Sequence, residues 1–292
     1  MSKKIAVVIA HYDPDGHVPL DLLNMISALQ KRSDEIVFVS TNINKESALI
    51  VEKMCNLIIR ENFGYDFWSY KVGIESILNK KSLDSILLIN SSVIYFNPDK
   101  LINEFFEDSP DSPALYGLTE SYQIEQHIQS FWIEFCTNEL INSKAFDVWW
   151  SELLPISEQL EVIKKYEIGM SNYFKNLGVN LKALYTRSPG DQLLAASRSI
   201  ADDHYDVNLD QKLIDTGSFS LPLELAKKIN PTSILWDVIL ESYDWIKVKT
   251  FDRSNRDFRV YKFLKYLENN IENVDENINI LFSRKLDFIL KK

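Results

Sequence analysis

Cysteine is scarce in this chain. Cys55 and Cys136 are the only two in 292 residues, they lie far apart in apolar surroundings, and neither belongs to a CxxC or Cys/His cluster. That excludes a disulfide framework and a cysteine-ligated zinc site, and it predicts buried thiols in a reducing compartment. Long apolar runs are also missing. None approaches the roughly 18–20 residues of a membrane-spanning helix. The opening MSKKIAVVIAHYD has two lysines and then only six apolar residues, too few for a signal peptide and the right length for a first core strand. Excess positive charge is absent too: 32 Lys and Arg against 42 Asp and Glu leave a net charge of −10. Such a chain repels a polynucleotide backbone, so general nucleic-acid binding is excluded, although a few Arg, Lys or backbone N–H groups still suffice for one nucleotide. There is no GxGxxG after the first strand, and no GxxxxGK[ST], GxSxG, HExxH or EF-hand loop. Dinucleotide oxidoreductases, P-loop NTPases, α/β-hydrolases and zincins lose weight accordingly. The expected location is the cytoplasm.

What is present is a regular alternation of two periodicities. Residues 5–10 (IAVVIA), 36–40 (IVFVS), 56–59 and 85–90 (SILLIN) are short apolar runs of the kind buried on both faces of a parallel sheet. Helical periods separate them at 20–29, 46–54, 66–78 and 98–106. This pattern predicts an α/β domain with a mostly parallel sheet. Further strands are expected at 114–118, 129–135, 181–185 and 246–251. Further helices are expected at 143–152, 158–177, 231–243, 257–270 and 275–290, with weak periodicity over 190–204. No internal repeat or low-complexity segment occurs.

In such sheets ligands bind at the carboxyl ends of the strands. The polar loops 11–16, 41–44, 60–66 and 90–92 all fall there. Residues 57–73, LIIRENFGYDFWSYKVG, pass from a strand through a glycine to a helix with Asp66 in its first turn. That is either a ligand-binding loop built on free helix N–H groups or an ordinary turn with Asp66 as cap. Asp13 and Asp15 around Pro14 suit a metal, a sugar or a nucleotide, or a solvated turn. His11 ends a strand and is either a base or a structural hydrogen-bonder. Glu167 in KYEIGM is a general-base candidate if it sits in a partly dry site, and a surface glutamate otherwise. Glu120, His127 and Gln129 lie beside an aromatic strand, which suits carbohydrate stacking or a core edge.

Taken together, HYDPDG, RENFGYDFWSYKVG, LLINSSV, GLTESYQIEQHIQSFW, KYEIGMS and NPTSILWD resemble the rhamnan synthesis F family, bacterial glycosyltransferase-like proteins of surface-polysaccharide assembly. The resemblance covers about residues 4–250. It implies a GT-A-like, Rossmann-type α/β/α sandwich over 1–250 with a helical C-terminal extension over 251–292. It implies a nucleotide-sugar donor such as dTDP-L-rhamnose, an oligosaccharide or lipid-linked acceptor, and an inverting transfer into a polysaccharide or O-antigen with Glu167 as base. His11, Tyr12, Asp13, Asp15 and Gly16 would lie by the nucleotide. Arg60, Asn62, Gly64, Tyr65, Asp66 and Lys71, with Asn90, Ser91 and Ser92, would line the donor pocket. Glu120, His127 and Gln129 would face the acceptor.

Two departures from the family pattern stand out. Asn-Asp-Ser becomes Asn90-Ser91-Ser92, and NPTH ends here in Ser233. A carboxylate and a histidine at those places are natural ligands for Mg²⁺ or Mn²⁺. The expectation is therefore metal-independent donor binding by Lys, Arg and helix N-termini, with a Mg²⁺- or Mn²⁺-dependent site as the alternative. The other reading of the lost ligands is a non-catalytic sugar- or nucleotide-binding subunit of a synthase complex. The basic amphipathic tail, 258–292, either contacts anionic lipid as a peripheral membrane anchor or packs as a helical hairpin on the domain or on a second copy of the chain.

Overall fold

The first apolar run becomes β1 (Ile5–His11), every residue of which is buried. A strand buried on both faces has to be central and covered on either side. The computed structural model, which describes residues 3–201, 228–252, 259–270, 273–286 and 289, has that arrangement. β1 pairs in parallel with β2 (Glu35–Ser40) and β4 (Ser85–Asn90), and β2 pairs in parallel with β3 (Asn56–Ile59). β8 (Trp132–Cys136) runs antiparallel to both β4 and β6 (Ala114–Ser121). The short β7 (His127–Ile128) and the parallel β9 (Asn180–Tyr185) attach to β6. The order is β3-β2-β1-β4-β8-β6-β7 with β9 beside β6. This is the expected mostly parallel α/β sandwich.

Side chains alternate across a strand, so β1 feeds two cores. Ile5, Val7 and Ile9 pack with α1 (Leu20–Leu29), α4 (Pro98–Asp108) and α9 (Pro189–Ala201). Ala6, Val8 and Ala10 pack with α3 (Tyr65–Ser76), α6 (Lys144–Glu152) and α8 (Gly169–Asn176). The short helices α2 (Lys45–Val51), α5 (Asn138–Ile141) and α7 (Gln159–Val162) complete the layers. α3 sits close to the sheet because Gly73 has no side chain. A Cβ there would lie 2.2 Å from Val8 Cγ1.

Several boundaries differ from the sequence expectation. The helix expected over 158–177 is interrupted by a π-helical stretch, Ile163–Ile168. The strand expected over 246–251 is only β10 (Trp245–Lys247), followed by a 3₁₀ turn. The weak periodicity over 190–204 corresponds to α9 as far as residue 201, and the rest lies outside the described residues. Cys136 is buried as expected, whereas Cys55 is half-buried, and both thiols are free. Burial pushes the Cys55 thiol up to about 12, so it is protonated and unreactive at neutral pH.

β10 pairs antiparallel with β5 (Val93–Tyr95) in a small second sheet. α10 (Pro231–Ile234) and α11 (Trp236–Tyr243) lead into it. α12 (Val260–Asn269) and α13 (Val274–Ser283) then fold back onto it through a third apolar cluster that includes Ile94, Phe96, Trp236, Phe263 and Ile280. The described part of the tail therefore packs as helices on the α/β layers. Among the described residues, no helix is long and apolar enough to cross a membrane.

Arg284, just past α13, locks this return. Its Nε and Nη2 donate to Asp21 Oδ1 and Oδ2 at 2.7 and 2.6 Å, and Nη1 and Nη2 donate to the carbonyls of Ser91 and Val93 at 2.9 and 2.7 Å. Asp21 is fully buried. A bidentate pair with its remaining donors satisfied is the arrangement in which removing one partner is costly, because the other charge is stranded. Arg284→Ala is expected to lower stability by about 3–5 kcal/mol in urea unfolding. Asp21→Asn in the Arg284→Ala background should add little, since the two losses share one interaction.

Candidate functional site

A cavity of about 430 Å³ opens at the carboxyl end of β4, between the start of α3, the π-helical stretch and the β10 segment. Among the ionisable side chains that face it, Asp66, Glu167 and Lys247 come from three elements distant in sequence.

Asp66 is placed by the loop before α3. Gly64 takes the left-handed conformation at φ +71°, and Tyr65 follows at φ +53°. Gly64 tolerates that backbone at little cost, whereas a tyrosine has to be held in it. Arg60 does the holding. Its guanidinium donates to the carbonyls of Glu61 (2.7 Å), Phe63 (2.6 Å) and Tyr65 (2.8 Å) and to Ser69 Oγ (2.7 Å). Gly64, not Asp66, is the helix cap. The Asp66 carboxylate is turned instead toward β4, where Oδ2 accepts from Asn90 Nδ2 at 2.7 Å.

From Asp66 a directed chain of hydrogen bonds runs across the cavity floor. Asn90 Oδ1 accepts from the backbone N–H of Ser92 (3.0 Å) and from Ser92 Oγ (2.5 Å). Ser92 Oγ in turn accepts from Lys247 Nζ at 2.8 Å. The same ammonium lies 3.9 Å from the centre of the Phe131 ring. Burial lowers the Lys247 amine to about 8, against the raising influence of Glu167 and Asp66. Burial raises the Asp66 carboxyl, and Asn90 and Lys247 offset only part of that.

Glu167 sits in the π-helical stretch, a local widening that often accompanies functional positions. Its Oε2 accepts from Ser130 Oγ at 3.0 Å, and its Oε1 lies 3.5 Å from His127 Nε2. His127 Nδ1 is 2.8 Å from the carbonyl of Glu125, which can only accept, so Nδ1 carries a proton. Burial alone would raise the Glu167 carboxyl. His127, Ser130 and the charge of Lys247 outweigh it and bring the group below its ordinary value. Glu167 is therefore a carboxylate at neutral pH, recessed but open to the cavity, which is the form a general base needs.

The other candidate residues fall into three groups. His127, Gln129, Tyr65, Asn90 and Ser92 line the cavity with Asp66 and Glu167. Gln129 accepts from Thr119 Oγ1 and donates to Asn230 Oδ1. Glu120 is not among the lining residues and accepts from Tyr122 and Gln126. The first loop forms a neighbouring cluster outside the cavity lining. There Asp13 Oδ1 accepts the N–H groups of Asp15 and His17, and Gly16 bonds back to Asp13 and to Asn44. Asp15 is exposed and paired with Lys285, and Tyr12 is exposed. Ser91 joins this loop to β4, its hydroxyl donating to the Tyr12 carbonyl at 3.3 Å. Finally, Asn62 is exposed, and Lys71 is directed elsewhere: Nζ donates to the carbonyls of Ser151 and Leu153 and stacks over Trp68.

Lys247 was not legible as a site residue. It lies in WIKV, a short run whose only signal is a charge among apolar neighbours. Among the described residues, no group of three His, Cys, Asp or Glu gathers that could hold a metal ion.

The family model for rhamnan synthesis protein F matches residues 36–212. This chain belongs to the rhamnan synthesis protein F family. The matched stretch is narrower than residues 4–250, over which the motifs were read; it contains Asp66, Asn90 and Glu167 but not the HYDPDG loop or Lys247. Curated relatives include the uncharacterized protein y4gN of Sinorhizobium fredii, 26% identical over 202 residues, 67% of this chain and 51% of that one. The virulence protein VirA of Vibrio anguillarum is 28% identical over 213 residues, 69% of this chain and 63% of its own length. The chain thus spans about half to somewhat under two thirds of the length of these relatives. Among solved structures, glucosyl-3-phosphoglycerate synthase from Mycobacterium tuberculosis, in complex with Mn²⁺, UDP and glucosyl-3-phosphoglycerate, matches at a TM-score of 0.41 and 14% identity. That match covers 68% of this chain and 78% of the synthase. The 4-diphosphocytidyl-2C-methyl-D-erythritol synthase of Anaerococcus prevotii matches at 0.38 and 10%, over 65% and 94% of the two chains.

In this family member His11 is a structural histidine. Its Nε2 is 3.1 Å from the carbonyl of His17 and so carries the proton, which leaves Nδ1 to accept from Ser40 Oγ at 2.9 Å. Burial lowers the ring from 6.5 to about 4. The folded state thus binds fewer protons than the unfolded state between those values, so this contribution to stability is complete above pH 6.5 and is lost as pH falls toward 4. Urea unfolding should show about 3 kcal/mol of stability disappearing across that window. His11→Asn should flatten the slope.

Proposed function

We propose that this protein is a nucleotide-sugar-dependent glycosyltransferase of surface-polysaccharide assembly, with Glu167 as its general base. The observation that carries the reading is the Glu167 carboxylate, kept ionised by Ser130 and His127 in a cavity that also presents an ammonium. Family membership supplies the chemical setting. The Glu167 carboxylate takes the proton of an acceptor hydroxyl. That oxygen forms its bond to the anomeric carbon on the face opposite the leaving group, while the bond from the anomeric carbon to the diphosphate oxygen breaks. Configuration inverts, and the nucleoside diphosphate departs.

In this reading dTDP-L-rhamnose is the first donor to try, and a lipid-linked or soluble oligosaccharide destined for a polysaccharide or O-antigen is the acceptor. The acceptor approaches past His127 and Gln129. Asp66, fastened by Asn90 on a loop held by Arg60, lines the donor side. Transfer is assigned to residues 1–250, in the cytoplasm where sugar nucleotides are made, with 251–292 as a helical C-terminal extension whose Arg284 braces the chain just past β4.

The replacement of two family ligand positions by Ser91 and Ser233 favours one rival, a binding subunit without turnover. Glu167→Gln separates the two. As an enzyme, the wild type transfers sugar from one member of a nucleotide-sugar panel, and the variant loses about 10²–10⁴ in kcat while binding donor within a few-fold of wild type. Donor at 100 times its Kd should stabilise both proteins by about 2.7 kcal/mol. Wild type and variant that bind equally and both fail to turn over establish the subunit.

A further inference from the structure

We propose that Lys247, seated on Ser92, is the diphosphate-holding cation of this cavity and occupies the post that a divalent metal fills in a metal-dependent site. The proposal rests on the reading of the donor as a nucleotide sugar.

The geometry is that of a cation prepared for an anion. Lys247 Nζ has three N–H donors, and one is spent on Ser92 Oγ at 2.8 Å. Phe131 covers one side at 3.9 Å. Among the described residues no carboxylate comes within 4.0 Å of it. The two carboxylates that share the cavity are engaged elsewhere, Asp66 by Asn90 and Glu167 by Ser130 and His127. Their field raises the amine against the lowering by burial but supplies no hydrogen bond to it. A recessed ammonium with donors left over is an unfavourable arrangement until an anion accepts from it. Lys249 and Thr232 line the same cavity, so further positive charge and a hydroxyl share it with Lys247 and the general base. A diphosphate at the ammonium and a sugar within reach of Glu167 would satisfy both.

The same residues do not suit a divalent cation. Position 91, at the end of β4, offers a hydroxyl. The nearby Asp66 has one oxygen committed to an amide, and an ammonium 2.8 Å from Ser92 Oγ would repel a second cation placed there. Mg²⁺ and Mn²⁺ prefer carboxylate oxygens. An ammonium is a compact point charge that can follow phosphate oxygens as negative charge builds on the leaving diphosphate. Lys247 therefore supports both ground-state binding and departure.

Inorganic pyrophosphate and UDP, titrated calorimetrically into the full chain in the presence of EDTA, test this. Both should bind wild type without metal. Lys247→Met should weaken both by at least about tenfold, and Lys247→Arg should retain binding within a few-fold. Ser92→Ala, which removes the seat but keeps the charge, should give an intermediate loss and serves as the readout if the methionine variant does not fold. Binding that requires Mg²⁺ or Mn²⁺, or that is unchanged in Lys247→Met, overturns the proposal. Lys247-dependent pyrophosphate binding in a protein that transfers no sugar would leave it standing and remove the transferase reading. Metal-free transfer that is indifferent to Lys247 would do the reverse.

Discussion

The hydrogen-bonded chain from Lys247 through Ser92 and Asn90 to Asp66 is the interaction on which the cavity depends. It joins β10, the end of β4 and the first turn of α3, three elements that no local propensity brings together. Each link has a fixed direction. The ammonium donates to a hydroxyl, the hydroxyl donates to an amide oxygen, and the amide nitrogen donates to a carboxylate. Because each polar group relies on the next, the floor behaves as a unit, and a change at one member is felt by the others. Burial pushes the acid at one end up and the amine at the other down, and their mutual attraction offsets part of each shift.

The supporting structure is arranged around that floor. β1 and β4 are buried on both faces, which fixes the height of their carboxyl ends. Gly73 lets α3 sit close to Val8 and so brings Asp66 within reach of Asn90. From the other side Arg284 takes the carbonyls of Ser91 and Val93, the residues flanking Ser92, and anchors them to Asp21. The C-terminal helices thus contribute to the site without entering it. Glu167 reaches the same space by a different device, a π-helical stretch backed by the aromatic packing of Tyr166 against Phe67 and Trp149.

The alternation of strand and helix was written in the sequence because it follows from burial. A run such as IAVVIA has no polar face to expose, and its neighbours carry a helical period. The convergence of polar loops at the strand ends was legible for the same reason, as was Glu167 as a candidate. Less of the site could be read. Arg60 and Lys71 were both expected in the donor pocket, yet the carbonyls of their own neighbourhood take up their donors. Competition between a ligand and the backbone for a guanidinium or an ammonium is invisible until the fold is known. The HYDPDG loop is likewise consumed largely by its own Asx turn and by His11.

What the sequence alone determined, then, was the layered α/β architecture, the edge of the sheet on which a ligand would sit, and membership in a family whose motifs it carries. Those properties depend on short-range periodicity and on residue types that burial tolerates. Which cation faces the cavity was decided only by tertiary structure. Lys247 arrives there through an antiparallel pairing of β10 with β5, about 150 residues away in sequence. Register places its side chain over Ser92, and nothing in the local run WIKV specifies that pairing.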